Sequence, residues 1–154
     1  MGTYNLTKGD TRVSAKDYGH IFLARIPIVV TEIIAANATL TANAKITAAD
    51  VIQLWDIPAL TILLPGLAAF KIVAPGTASN TGDIGIGGAT DYMFDGIALD
   101  GAAGTVYYVD DDQEWGTDNY GGLDFESTDT LAMIFVADEV TGSFVLYVPG
   151  YMLD

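Results

Sequence analysis

The carboxylates of Asp110, Asp111, Asp112, Glu114 and Asp118 form the densest cluster of chemistry-bearing residues in the chain. Asp110, Asp112 and Glu114 alternate, so in an extended segment they project to one side. Hard cations take oxygen ligands of this kind, which makes the trio a candidate Ca2+ or Mg2+ site. The spacing is not that of an EF-hand loop. Counted from Asp110, the sixth position is Trp115 where glycine is required, and the twelfth is Gly121 where glutamate is required. A solvated acidic loop is the simpler reading. Paired carboxylates also serve glycoside hydrolysis, and Trp115, Tyr120 and Phe125 lie close by in sequence. Acidic residues are so abundant, however, that two could come into range by chance.

Other catalytic sets are incomplete. His20 is the only histidine and no G-x-S-x-G accompanies it, so a serine triad has no support. The chain has no cysteine, which excludes disulfides, thiolate catalysis and cysteine-based zinc sites. Gly82, Gly85, Gly87 and Gly88 suggest a nucleotide loop, but position 90 is Thr90 and no G-x-x-x-x-G-K occurs. A phosphate site is physically poor where no lysine or arginine is near.

Charge is divided unevenly along the chain. All six basic residues (Lys8, Arg12, Lys16, Arg25, Lys45, Lys71) lie in the first 71 positions, with five acidic ones. Residues 72–154 carry 15 Asp or Glu and no base, so the net charge of −14 divides into +1 and −15. The second part repels phosphate, which argues against nucleic-acid binding. An apolar content of 51% with only 17% charged residues excludes a disordered chain and suggests that a partner covers some surface. The polar start MGTYNLTKGD shows no secretory signal. Residues Ile57–Ala74 imitate a membrane span over 18 residues, but Pro58 and Pro65-Gly66 break the run. Two buried strands joined at Pro65-Gly66 fit better, and no membrane association is expected.

The elements that must hold these residues are short strands. Residues 1–19 read as an N-terminal arm or a first edge strand, ahead of a single domain at 20–154. Ile21–Ile34 reads as a strand with Ile26, Ile28 and Val30 on one face and Arg25, Pro27 and Val29 on the other; Pro27 marks an edge or a bulge. Ala35–Ala49 reads as a loop with a helical turn. In Asp50–Ile57, Val51, Trp55 and Ile57 share a face. Strands follow at Leu60–Leu64, Leu67–Ala74, Thr81–Gly88, Tyr92–Leu99 and Thr105–Val109. Asp95-Gly96 and Asp100-Gly101 read as turns. Thr130–Val136 and Ser143–Val148, separated by ADEVTG, read as a β-hairpin. Eight or nine short strands punctuated by Gly, Pro and Asp-Gly predict an all-β, jelly-roll-like sandwich.

The stretch ITAADVIQLWDIPALTILL, with TGDIGIGG, FDGIALDG and the terminal β-hairpin expected at the end of the chain, resembles small virion structural proteins of tailed bacteriophages, the head-decoration or cement proteins. The resemblance covers residues 46–150. It implies a non-enzymatic β-sandwich on the capsid surface of the virion. Its partners would be the major capsid protein and other copies of itself, as a homotrimer, and no active site is carried over. The front segment, with Lys8, Arg12, Lys16 and Arg25, would then dock on the capsid as a partner-binding arm. The rival readings are a carbohydrate-binding or host-adhesion module of the virion and a tail-associated structural protein.

Overall fold

Alternation of apolar and polar side chains builds two sheets whose apolar faces meet. The computed structural model describes residues 3–5, 20–48, 50–87, 89–109, 123–125, 127–136 and 140–152. Among them are eleven strands: β1 (Thr3–Asn5), β2 (His20–Val29), β3 (Val51–Ile57), β4 (Thr61–Leu63), β5 (Ala69–Ala74), β6 (Thr81–Ile86), β7 (Ala89–Ala98), β8 (Val106–Tyr108), β9 (Leu123–Phe125), β10 (Asp129–Phe135) and β11 (Ser143–Met152). Sheet I has the order β1-β3-β10-β6-β7, with β1 parallel to β3 and the rest antiparallel. Sheet II is organised around β11. One edge of β11 pairs with β2 along ten residues; β5 and β4 share the other edge and carry β8 and β9 outside them. The expected all-β sandwich is therefore present.

The break between β4 and β5 falls at Pro65-Gly66, as expected, where Pro65–Leu67 forms a single 3-10 turn. It lies opposite Pro149 of β11, whose carbonyl accepts the Leu64 N–H at 2.9 Å. The apolar run that imitated a membrane span is thus two short strands. No helix among the described residues is long and apolar enough to cross a membrane.

In β2, Phe22, Ala24, Ile26 and Ile28 are buried while Ile21, Leu23, Arg25 and Pro27 are exposed, which is the period of two. β2 pairs with β11 alone among the described strands, so Pro27 occupies an edge strand where its missing N–H costs least. The expected strand to Ile34 stops earlier, at Val29. Helix α1 (Val30–Ala36) follows at once, and α2 (Ala38–Asn43) is capped by the Asn37 side chain. β-Branched residues favour strands, but Val30 and Ile33 are spaced to bury one helical face, and they join Leu40 and Ile46 in the core.

Three further expectations are corrected. Residues 129–135 and 143–152 are not a hairpin: β10 lies in the middle of sheet I and β11 in the middle of sheet II. Each already pairs on both edges, so the chain between them crosses the sandwich. In β3 the ladder to β10 steps from Gln53 to Trp55, leaving Leu54 as an extra residue. That bulge switches the phase, so Ile52 and Leu54 point inward before it, and Trp55 and Ile57 after it. Asp95-Gly96 is no turn either: it is a bulge inside β7, where the pairing steps from Phe94 to Ile97.

The core joins the sheets through aromatic rings. Phe70 of β5 stacks on Phe144 of β11 with centroids 5.4 Å apart, and tilts against Phe94 of β7 at 6.4 Å. Phe22 of β2 meets Trp55 of β3 edge-on at 5.9 Å. Such ring pairs add about 0.5–1.5 kcal/mol each beyond their buried area.

Candidate functional site

The outer face of sheet II brings four distant segments into register. Arg25, Tyr147, Ala69 and Tyr108 form one row across β2, β11, β5 and β8. Pro27, Val145, Lys71 and Val106 form the next. Toward the other end, Leu23 lies opposite Pro149, and Ile21, Tyr151, Ile62 and Asp124 make a further row. Of the residues in these rows only Asp124, at the β9 edge, is acidic. Ile21 is 70% exposed, Tyr108 71% and Leu23 46%. Large apolar side chains left this open on one sheet face mark a contact site more often than a bare surface.

Both cations of the face lie among these apolar groups. Arg25 is exposed and Lys71 half-buried, and neither has a hydrogen-bond or ion-pair partner among the described residues. From the strand spacing, their Cα atoms lie about 12 Å apart, with Tyr147 between them.

The outer face of sheet I carries the opposite charge. Asp56 stands opposite Thr130, and Asp83 opposite Ile134. The Asp83 carboxyl is held above its ordinary 3.8, first because burial strips water from it and then because Asp95 and Asp91 repel its charge. The Gly96 N–H, donated to Asp83 at 2.8 Å, opposes that shift without cancelling it. The division of charge seen along the sequence thus has a counterpart in space: one sheet face is apolar and cationic, the other anionic.

The residues singled out from sequence separate accordingly. Arg25 belongs to the sheet II face, whereas Lys8, Arg12 and Lys16 lie outside the described residues. So do Asp110, Asp112, Glu114, Trp115 and Tyr120. No group of three His, Asp or Glu placed to hold a metal occurs among the described residues. The His20 backbone begins β2 opposite Met152. Phe125 is 8% exposed and belongs to the core, so it cannot line a glycan cleft. Gly82 of β6 serves packing: a Cβ there would overlap the Met133 methyl group and touch Leu99. The sequence reading missed Lys71, Tyr108, Tyr147 and Tyr151 as members of one surface. A signal existed, because β2 and β11 are apolar at both parities and such strands need cover on both faces.

No family model and no curated protein matches the chain. Solved structures do. The fold is similar to a chain in the capsid of Ralstonia phage GP4, with a TM-score of 0.62 at 12% identity over 99% of each chain. It is also similar to a chain in the capsid asymmetric unit of cyanophage Pam1, with a TM-score of 0.52 at 13% identity over 92% of this chain and 94% of that one. At these identities the likeness is one of fold. It runs end to end, so each neighbour is itself a small chain of about this length.

Proposed function

We propose that this protein is a structural component of a phage virion that binds the outside of the capsid and stabilises it, a head-decoration or cement protein. The observation that supports this most is the end-to-end likeness to chains of equal size within two phage capsid structures. A fragment-sized match inside a large coat protein would support the role far less.

The role needs no chemistry. A decoration protein acts by burying surface across joints between shell subunits, so that separating them requires breaking its contacts as well. Specific interfaces typically bury about 1,200–2,000 Å2 in total. The partners in this reading are the major capsid protein and further copies of the chain, as a trimer at symmetry axes. Lys8, Arg12 and Lys16 of the front segment contribute a second contact, as an added strand or a tether. No cofactor takes part; if the Asp110, Asp112 and Glu114 set holds Ca2+, chelation with EDTA releases the protein from particles.

The test is addition of the purified protein to shells of the encoding phage that lack it, followed by sedimentation and heating. Saturable binding and a higher temperature of shell disruption are expected. Shells that sediment without the protein would refute the reading.

A further inference from the structure

We propose that the outer face of sheet II is the docking surface and that its occupant is a protein surface presenting carboxylates among apolar side chains, namely the outside of the shell; this rests on the capsid reading above. Three observations converge. The face exposes Ile21 and Leu23 at one end and Tyr108 at the opposite corner, around a middle row in which Val145 is buried, although the chain has a full core elsewhere. It places Arg25 and Lys71 among those groups with no partner for either among the described residues. It also has the size of an interface. Four strands at about 4.8 Å and ten residues at about 3.3 Å give a patch of roughly 19 by 33 Å, or roughly 600 Å2. Stable interfaces use about 800 Å2 per partner, so the patch supplies most of one.

The cations define the partner. Burying an unpaired charge is strongly unfavourable, so a surface that covers Arg25 and Lys71 must bring carboxylates to them. A second copy fits poorly. Two such faces in contact set Arg25 and Lys71 against cations of the same kind. The carboxylates Asp83, Asp91 and Asp95 lie on the opposite sheet, so a second copy would have to pair front to back, which grows into a filament unless the rotation closes a ring. Nucleic acid fits worse still, because two cations on a chain of net charge −14 do not hold a phosphate backbone. With sheet II on the shell, the anionic sheet I faces solvent and discourages stacking of further copies.

The experiment is a binding titration of the full chain on shells lacking it, with circular dichroism confirming the fold of each variant. The double variant Arg25→Glu/Lys71→Glu should weaken binding about 30-fold or more. Tyr108→Ser, a change at a largely exposed position, should weaken it about tenfold. The control Asp91→Lys/Asp95→Lys, on sheet I, should bind within about threefold of wild type, since charges outside a contact act weakly. Wild-type binding with no loss in the sheet II variants overturns the docking face but leaves the capsid role intact. Sheet II variants that change only the sedimentation of the free protein also overturn it, in favour of a second copy. Wild type that fails to bind shells removes both.

Discussion

Substituting Gly142 tests the way the chain crosses between sheets. Gly142 precedes β11, has φ +104°, and its carbonyl accepts the Val30 N–H at 3.2 Å. A Cβ placed there would lie 2.9 Å from the Ala74 carbonyl oxygen, the Gly76 Cα and the Phe144 ring. Two of those three are backbone atoms, which do not yield easily. Gly104 supplies the control: its φ is +94° and nothing lies within 4 Å of its added Cβ. Gly104→Ala therefore measures backbone strain alone, about 1–2 kcal/mol. Gly142→Ala adds overlap in a packed region, about 1–3 kcal/mol more. The total is about 3 kcal/mol, and for 154 residues each kcal/mol lowers Tm by about 2–4 °C. Urea denaturation should show a lower midpoint with unchanged slope. If Gly142→Ala costs no more than Gly104→Ala, Gly142 is not packed against Ala74 and Gly76, and the chain does not enter β11 by this crossing.

Phe144→Ala removes a ring that is 1% exposed and stacked on Phe70, so urea denaturation should show a loss of about 3–5 kcal/mol. Asn37 accepts the N–H groups of Thr39 at 3.0 Å and Leu40 at 3.3 Å, and Asn37→Ala should cost about 1 kcal/mol by the same method. The raised Asp83 carboxyl means that the folded protein holds this proton more tightly than the unfolded chain does. Stability then falls as pH rises from 3.8 through the raised value, and the cost persists above it. Asp83→Asn should raise Tm at pH 7 and lose that advantage below pH 3.8, whereas a gain constant with pH would contradict this reading.

Much of the sandwich was legible because its punctuation is chemical. Pro27 marked an edge strand or a bulge, Pro65-Gly66 marked the β4–β5 break, and alternation along 25–29 separated the two faces of β2. What failed was non-local. Nothing within ADEVTG states whether the strands on either side pair with each other or lie in opposite sheets; that depends on the partners of both. The bulge at Leu54 is set by β10, some 75 residues on, so the phase of Trp55 could not be read from β3 alone. Helix α1 reads as strand by propensity because Val, Thr and Ile fill it, and packing overrides that preference. The candidate surface was hidden for the same reason. Arg25, Lys71, Tyr108 and Tyr147 come from four segments and become neighbours only when β2, β11, β5 and β8 align.

If the chain is a phage decoration protein, the most direct test of capsid binding is a cryo-electron microscopy reconstruction of virions that carry it. Density for this sandwich is expected on the outside of the shell, with the outer face of sheet II against the coat subunits and Arg25 and Lys71 beside carboxylates. Particles that lack the chain on the head, or that carry it in the tail, would contradict capsid binding.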